Sequence, residues 1–167
     1  MPDLLTHAFI AYIFAMAVSW RYAWLDGRYV TVAMAGAFIP DIAKITLLVA
    51  DTRVSAFIDL LFSWFGIHTA GGTLLCVFIG VVLVSSQERR RVGWVLSAGA
   101  ASHLIADAFL MKAYGHSYPL LWPLTAYAPP TPGLYLSTDV WPAIVTGSVA
   151  VGVWVIDRRL PKTTYTE

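Results

Sequence analysis

Charge is scarce in this sequence, at 13% of 167 residues, and cysteine is nearly absent, represented by Cys76 alone. Soluble domains carry roughly 25% charged residues, so an ordinary water-exposed fold is excluded. A single cysteine excludes an intrachain disulfide and any Cys-x-x-Cys metal knuckle. The net charge of +1 leaves no basic stripe, which removes nucleic acid from the partners to consider. The sequence also lacks a Gly-x-Ser-x-Gly elbow, a His-Glu-x-x-His helix, a Walker loop and a dinucleotide fingerprint.

Apolar residues, by contrast, make up 58% of the chain, and the mean hydropathy is +0.68. They gather in runs at 4–20, 30–50, 69–86, 92–113 and 140–156, each near the roughly 20 residues that cross a bilayer as a helix. These lengths predict one all-α integral membrane helical bundle over 1–167 with five transmembrane helices. The first run reads as a span rather than a signal peptide, because Asp3 precedes it where Lys or Arg would be needed and no small-residue cleavage site precedes Trp20.

Basic residues set the expected orientation, since cytoplasmic loops collect Lys and Arg. With the N-terminus outside and the C-terminus cytoplasmic, the inner segments hold Arg21, Arg28, Arg89, Arg90, Arg91, Arg158, Arg159 and Lys162, which is 8 of the 11 basic residues. Lys44, Arg53 and Lys112 fall elsewhere. Residues Asp51 to Ile67 are apolar at Val54, Phe57, Leu61 and Phe65 but carry Asp51, Arg53 and Asp59, which fits an interfacial or re-entrant helix on the outer side. The segment from Ala113 to Asp139 contains Pro119, Pro123, Pro129, Pro130 and Pro132 and several tyrosines, and reads as an ordered outer loop or cap.

An ionisable side chain at the centre of a span costs roughly 2.5 to 3.5 kcal/mol on insertion scales, so each one calls for a reason. His7, Asp41, His68, His103 and Asp107 are the five of interest. His103 and Asp107 are spaced i, i+4, which puts both on one helical face. They can meet one metal ion, or form an interhelical hydrogen bond where Ser97, Ala98, Ala101 and Ser102 let a neighbour approach. Asp41 follows Pro40, which should kink the second span where the carboxylate appears. An ion pair with Lys44, three residues on, is the alternative there. His68 stands before the turn Thr69-Ala70-Gly71-Gly72-Thr73, and His7 lies near the start of the first span. The expected topology places His7, His68, His103 and Asp107 in the outer halves of their spans and Asp41 near the middle.

Imidazoles and carboxylates converging at one level suit zinc and other first-row divalent ions, which activate water when a coordination position stays open. Five candidates exceed the three protein ligands usual for catalytic zinc, so two metals share them, or Asp41 or Asp107 serves as a general base. His116 and Asp139 in the outer segments are weaker candidates to close over the site.

At these positions the chain resembles the membrane-bound metal-dependent hydrolase family, the YdjM-like group, and looks closest to its archaeal branch. The matching pieces are Leu5-Thr6-His7, Gly36-Ala37-Phe38-Ile39-Pro40-Asp41, His68, Ser102-His103-Leu104-Ile105-Ala106-Asp107 and Leu121-Trp122-Pro123-Leu124. The resemblance implies a helical membrane hydrolase with a divalent metal held by His7, Asp41, His68, His103 and Asp107. It departs from the family's His-Arg-x-x-Thr-His pattern in the third span, where Thr69 follows His68 and Thr73 stands in place of a second histidine.

The function expected from the residues and the resemblance is a plasma-membrane hydrolase whose site opens outward, acting on phosphoester or lipid-linked substrates. A membrane metal or proton transporter would use the same residues, but the predicted inner half-spans contain no ionisable residue. A non-catalytic protein with a degenerate metal site is the third reading.

Overall fold

The computed structural model describes residues 2–113 and 115–160, so Tyr114 and the expected cytoplasmic Lys162 lie outside the described residues. The described chain is all-helical. Six α-helices, α1 (Pro2–Ser19), α2 (Gly27–Phe38), α3 (Asp51–Ile58), α4 (Ala70–Val82), α5 (Arg89–Asp107) and α6 (Trp141–Arg159), are joined by two 3-10 helices at Pro40–Leu47 and Trp64–His68. No strand occurs among the described residues, only isolated bridges between Leu110 and Tyr135 and between His116 and Pro130.

Every apolar run contains a helix, with boundaries that local chemistry moves. Asp26 starts α2 by accepting the Arg28 N–H at 2.9 Å, a side-chain cap on an orphan donor. Arg28 also donates to the Asp26 carboxylate, which holds that carboxyl below its ordinary value. Pro40 then breaks the second run as its missing N–H requires, and the two pieces meet at a bend of 48°. The third run is helical only over Ala70–Val82, opened by the Thr69 side chain, and the fourth begins earlier than expected, at Arg89, and ends at Asp107.

No single helix among the described residues is long and apolar enough to cross a membrane; the bent pair Gly27–Phe38 and Pro40–Leu47 is so when taken together. The physical reason differs by helix. At 1.5 Å per residue, the 13 residues of α4 cover only about 20 Å, whereas the 19 of α5 include Arg89, Arg90, Arg91 and Asp107. The exterior is nonetheless strongly apolar, with Phe14, Leu74, Leu75, Phe78, Ile144 and Val151 exposed, far beyond the scattered apolar surface of a water-soluble monomer.

The segment expected as one interfacial helix is two short pieces. α3 ends at Asp59, whose left-handed φ of 54° turns the chain back. Asp51 accepts hydrogen bonds from Ser63 at 2.9 Å and Thr46 at 3.0 Å, which tie the pieces together and hold its carboxyl below the ordinary value, Ser63 contributing most. Phe57 and Leu61 project outward almost fully exposed.

The bundle has two unlike ends. One is an apolar cluster of Ala15, Met16, Leu25, Tyr29, Val30, Ala33, Val92 and Val95, from the end of α1 and the starts of α2 and α5. Around it gather the basic residues: Arg91 lies over Trp24, Tyr29 donates to Glu88, and Trp20 donates to Asp157 at 3.1 Å. The opposite ends of the same helices carry His7, the Pro40 break and His103, and there the site forms.

Candidate metal centre

Close approach of α2 and α5 is the first requirement of the site. Gly36 faces Leu96, where an added Cβ would stand 2.5 Å from the Leu96 carbonyl oxygen, and Gly99 faces the Ala33 carbonyl just as tightly. Only glycine permits that separation. Because the backbones nearly touch, His103 on α5 reaches across to α2, and its Nδ1 lies 2.7 Å from the Ala37 carbonyl oxygen.

That contact decides the tautomer. A carbonyl only accepts, so His103 Nδ1 carries the proton and Nε2 presents a lone pair when the ring is neutral. Nε2 has no hydrogen-bond partner and points between two carboxylates, 3.8 Å from Asp41 Oδ1 and 3.7 Å from Asp107 Oδ2. A buried acceptor aimed at two anionic acceptors is costly unless a proton or cation lies between them.

The Pro40 break supplies the second such contact. His68 Nδ1 lies 3.2 Å from the carbonyl of Pro40, the first residue of the 3-10 helix, while His68 Nε2 stands 2.7 Å from Asp107 Oδ2. His68 thus repeats the pattern of His103: Nδ1 toward a backbone carbonyl, Nε2 toward a carboxylate. Metal-ligating histidines are commonly oriented in this way through the ring nitrogen that does not bind.

All five residues named from the sequence come together. His7 stacks on His103 with ring centroids 3.7 Å apart, and its Nε2 lies 3.3 Å from Asp107 Oδ1. Two ligand groups result, His7 with His103 and Asp107, and Asp41 with His68 and His103, each of a compactness that could hold a metal ion. His7 is fully buried and His103 only 1% exposed, and Asp41 and His68 are also buried, at 8%.

Lys44 realises the ion pair anticipated for Asp41, at 2.7 Å, leaving Asp41 Oδ2 without a hydrogen-bond partner. The ion pair uses Asp41 Oδ1, the oxygen that also lies 3.8 Å from His103 Nε2, so Lys44 and a metal ion would meet at the same carboxylate. His116 and Asp139 do not join the two ligand groups: Asp139 caps its own turn by accepting from Leu136 N–H at 2.8 Å, and His116 bridges to Pro130.

Four contributors escaped the sequence reading. The carbonyls of Ala37 and Pro40 carry no residue-type signature, and Phe65 and Tyr118, whose rings lie 5.9 and 6.3 Å from the His68 ring, looked like generic aromatics. The proline-rich loop is firmly attached beside the site: the carbonyls of Leu120 and Trp122 accept from the N–H groups of Ala70 and Gly71 at 2.7 and 2.9 Å, at the start of α4. Thr73, in place of a second histidine, is buried and donates to the Ile67 carbonyl at 2.9 Å, bracing the turn that presents His68.

The sequence profile of the YdjM inner membrane protein family matches residues 1–164. The chain belongs to the YdjM inner membrane protein family. Membership covers nearly the whole chain, so all five site residues and both helices that bring Gly36 and Gly99 together fall within the family's match. It also accounts for the apolar exterior, since members of the YdjM family are inner membrane proteins. Neither the curated proteins nor the solved structures contain a significant match.

Proposed function

We propose that this YdjM-family protein is an integral membrane metal-dependent hydrolase of the plasma membrane, with its site near the outer surface. The carrying observation is the paired orientation of His68 and His103, each with Nδ1 facing a main-chain carbonyl and Nε2 facing a buried carboxylate. The five runs cross the membrane as five passes, the bent α2 pair being one of them, with the N-terminus outside and the C-terminus cytoplasmic. The basic end of the bundle supports that orientation.

His7, His103 and Asp107 hold the metal, with His68 set against Asp107 Oδ2 and zinc the expected ion for this donor set. A divalent ion in such a site supplies Lewis acidity and acidifies water. Asp107 lies among all three histidines and is the better ligand; Asp41, with Oδ2 unpaired, is the better placed proton acceptor. Lys44 beside Asp41 offers a cation to an anionic oxygen, which favours phosphoester or lipid-linked phosphate substrates. The apolar cluster that closes the other end of the bundle offers no polar route through it, which disfavours transport.

Elemental analysis of detergent-purified protein tests the centre. Near-stoichiometric zinc or another divalent ion is expected in the parent protein and at least a tenfold loss in His103→Ala and Asp107→Asn, with hydrolysis of phosphoester probes lost in parallel. Metal content unchanged in both variants would sink the site, and metal-dependent flux in proteoliposomes without hydrolysis would replace the enzyme with a transporter.

A further inference from the structure

On the other face of α1 and α5 from the candidate ligands, though lined by their neighbours Thr6, Ser102 and Ala106, a groove of about 1380 Å³ runs between these helices and ends against the first turns of α6. It exceeds the roughly 300 to 1,000 Å³ of a drug-sized pocket. None of the five candidate ligands lines it. From Arg90 to Ala106 it follows 17 residues of α5, about 24 Å end to end at 1.5 Å per step. Small residues on α5, Ala98 and Ala101, keep it open, and Phe14 and Val18 of α1 form the facing wall.

Its two ends differ. Arg90 and Arg91 stand at one, beside Trp24, while Tyr135 and Trp141 stand at the other. Two further cations of that basic end are committed: Arg89 donates to the carbonyls of Val82 and Val84, and Arg28 pairs with Asp26 at 2.9 Å. Arg91 lies over the Trp24 ring. Arg90 is exposed at the mouth of the groove, where its charge has an apolar trough leading away from it.

We propose that this groove is a binding site for one anionic phospholipid, its acyl chain lying between α1 and α5 and its phosphate at Arg90. The observation behind it is charge complementarity: a long apolar trough with cationic residues at one end matches an amphiphile with an apolar chain and one anionic end. A zwitterionic lipid shares the chain but loses the net attraction. The site is distinct from the metal centre and stands or falls without the hydrolase reading.

Native mass spectrometry of the detergent-purified full chain, titrated separately with phosphatidylglycerol and phosphatidylcholine of equal chain length, tests the assignment. One phosphatidylglycerol should be retained with about fivefold preference, the factor that a single basic residue near an anionic surface contributes. Arg90→Gln should bring the preference close to one, and Ala98→Trp, which fills the trough, should reduce retention of both lipids. Metal content in both variants should remain that of the parent, which separates loss of the lipid site from failure of the metal centre. Equal retention of the two lipids by the parent chain, full retention by Ala98→Trp, or a lipid-free dimer closing the groove would each overturn the proposal.

Discussion

Substituting Gly36 by alanine tests whether the separation of α2 and α5 sets the metal centre. The new Cβ would lie 2.5 Å from the Leu96 carbonyl oxygen, where ordinary contact begins at 3.4 Å. Backbone cannot rotate aside as a side-chain tip can, so the helices must part by about 0.9 Å, the difference between those two distances. Carried to the adjacent Ala37, that displacement would stretch its 2.7 Å contact with His103 Nδ1 to about 3.6 Å, past the limit of a hydrogen bond. Loss of a partner that orients a ligand lowers metal affinity by about 10- to 100-fold, and the overpacking itself costs about 1 to 3 kcal/mol of stability. Competition against a chromophoric zinc chelator measures the first effect and thermal unfolding in the same detergent the second. Gly80→Ala provides the control, because its Cβ would meet only the Leu96 Cδ1 tip, at 3.2 Å, which can move. Parent-like zinc affinity in Gly36→Ala, or an equal loss in Gly80→Ala, would refute the argument that backbone contact orients His103.

Thr73→Val should lower stability by about 1 kcal/mol, since it leaves the partly buried Ile67 carbonyl without its donor while preserving shape; unchanged thermal unfolding would show that the turn before α4 does not need this brace. Asp51 has a carboxyl below its ordinary value of 3.8, so its tie to Ser63 holds at neutral pH and is lost as pH falls through the folded-state value. A fluorinated tryptophan at Trp64, whose Nε1 donates to the Val49 carbonyl at 2.8 Å, should report that loosening, and Asp51→Ala should show the low-pH signal at pH 7. Identical pH profiles in the parent and Asp51→Ala would assign the change to another group.

The helical class and the five clustering residues were legible because both follow from simple costs. Water penalises long apolar runs and lipid penalises ionisable groups, so His7, Asp41, His68, His103 and Asp107 stood out against their surroundings. The break at Pro40 was legible too, from a missing donor. Helix ends were less so: α5 begins at Arg89 because arginine is a good helix former, even though hydropathy starts its apolar run later. The orienting carbonyls of Ala37 and Pro40 were invisible for a deeper reason, since every residue has a carbonyl and only packing decides which one a histidine meets. Gly36 and Gly99 were the available trace of that packing, and their meaning depended on knowing that α2 and α5 are neighbours.

Anyone wishing to transplant this centre into another protein would therefore need more than five side chains. Two of its histidines are aimed by the main chain on either side of the Pro40 interruption, so the interruption is itself a component of the centre. A continuous helix at that place would draw the Ala37 carbonyl into its own ladder of hydrogen bonds and carry the Pro40 carbonyl to another position, and both imidazoles would lose their bearings together.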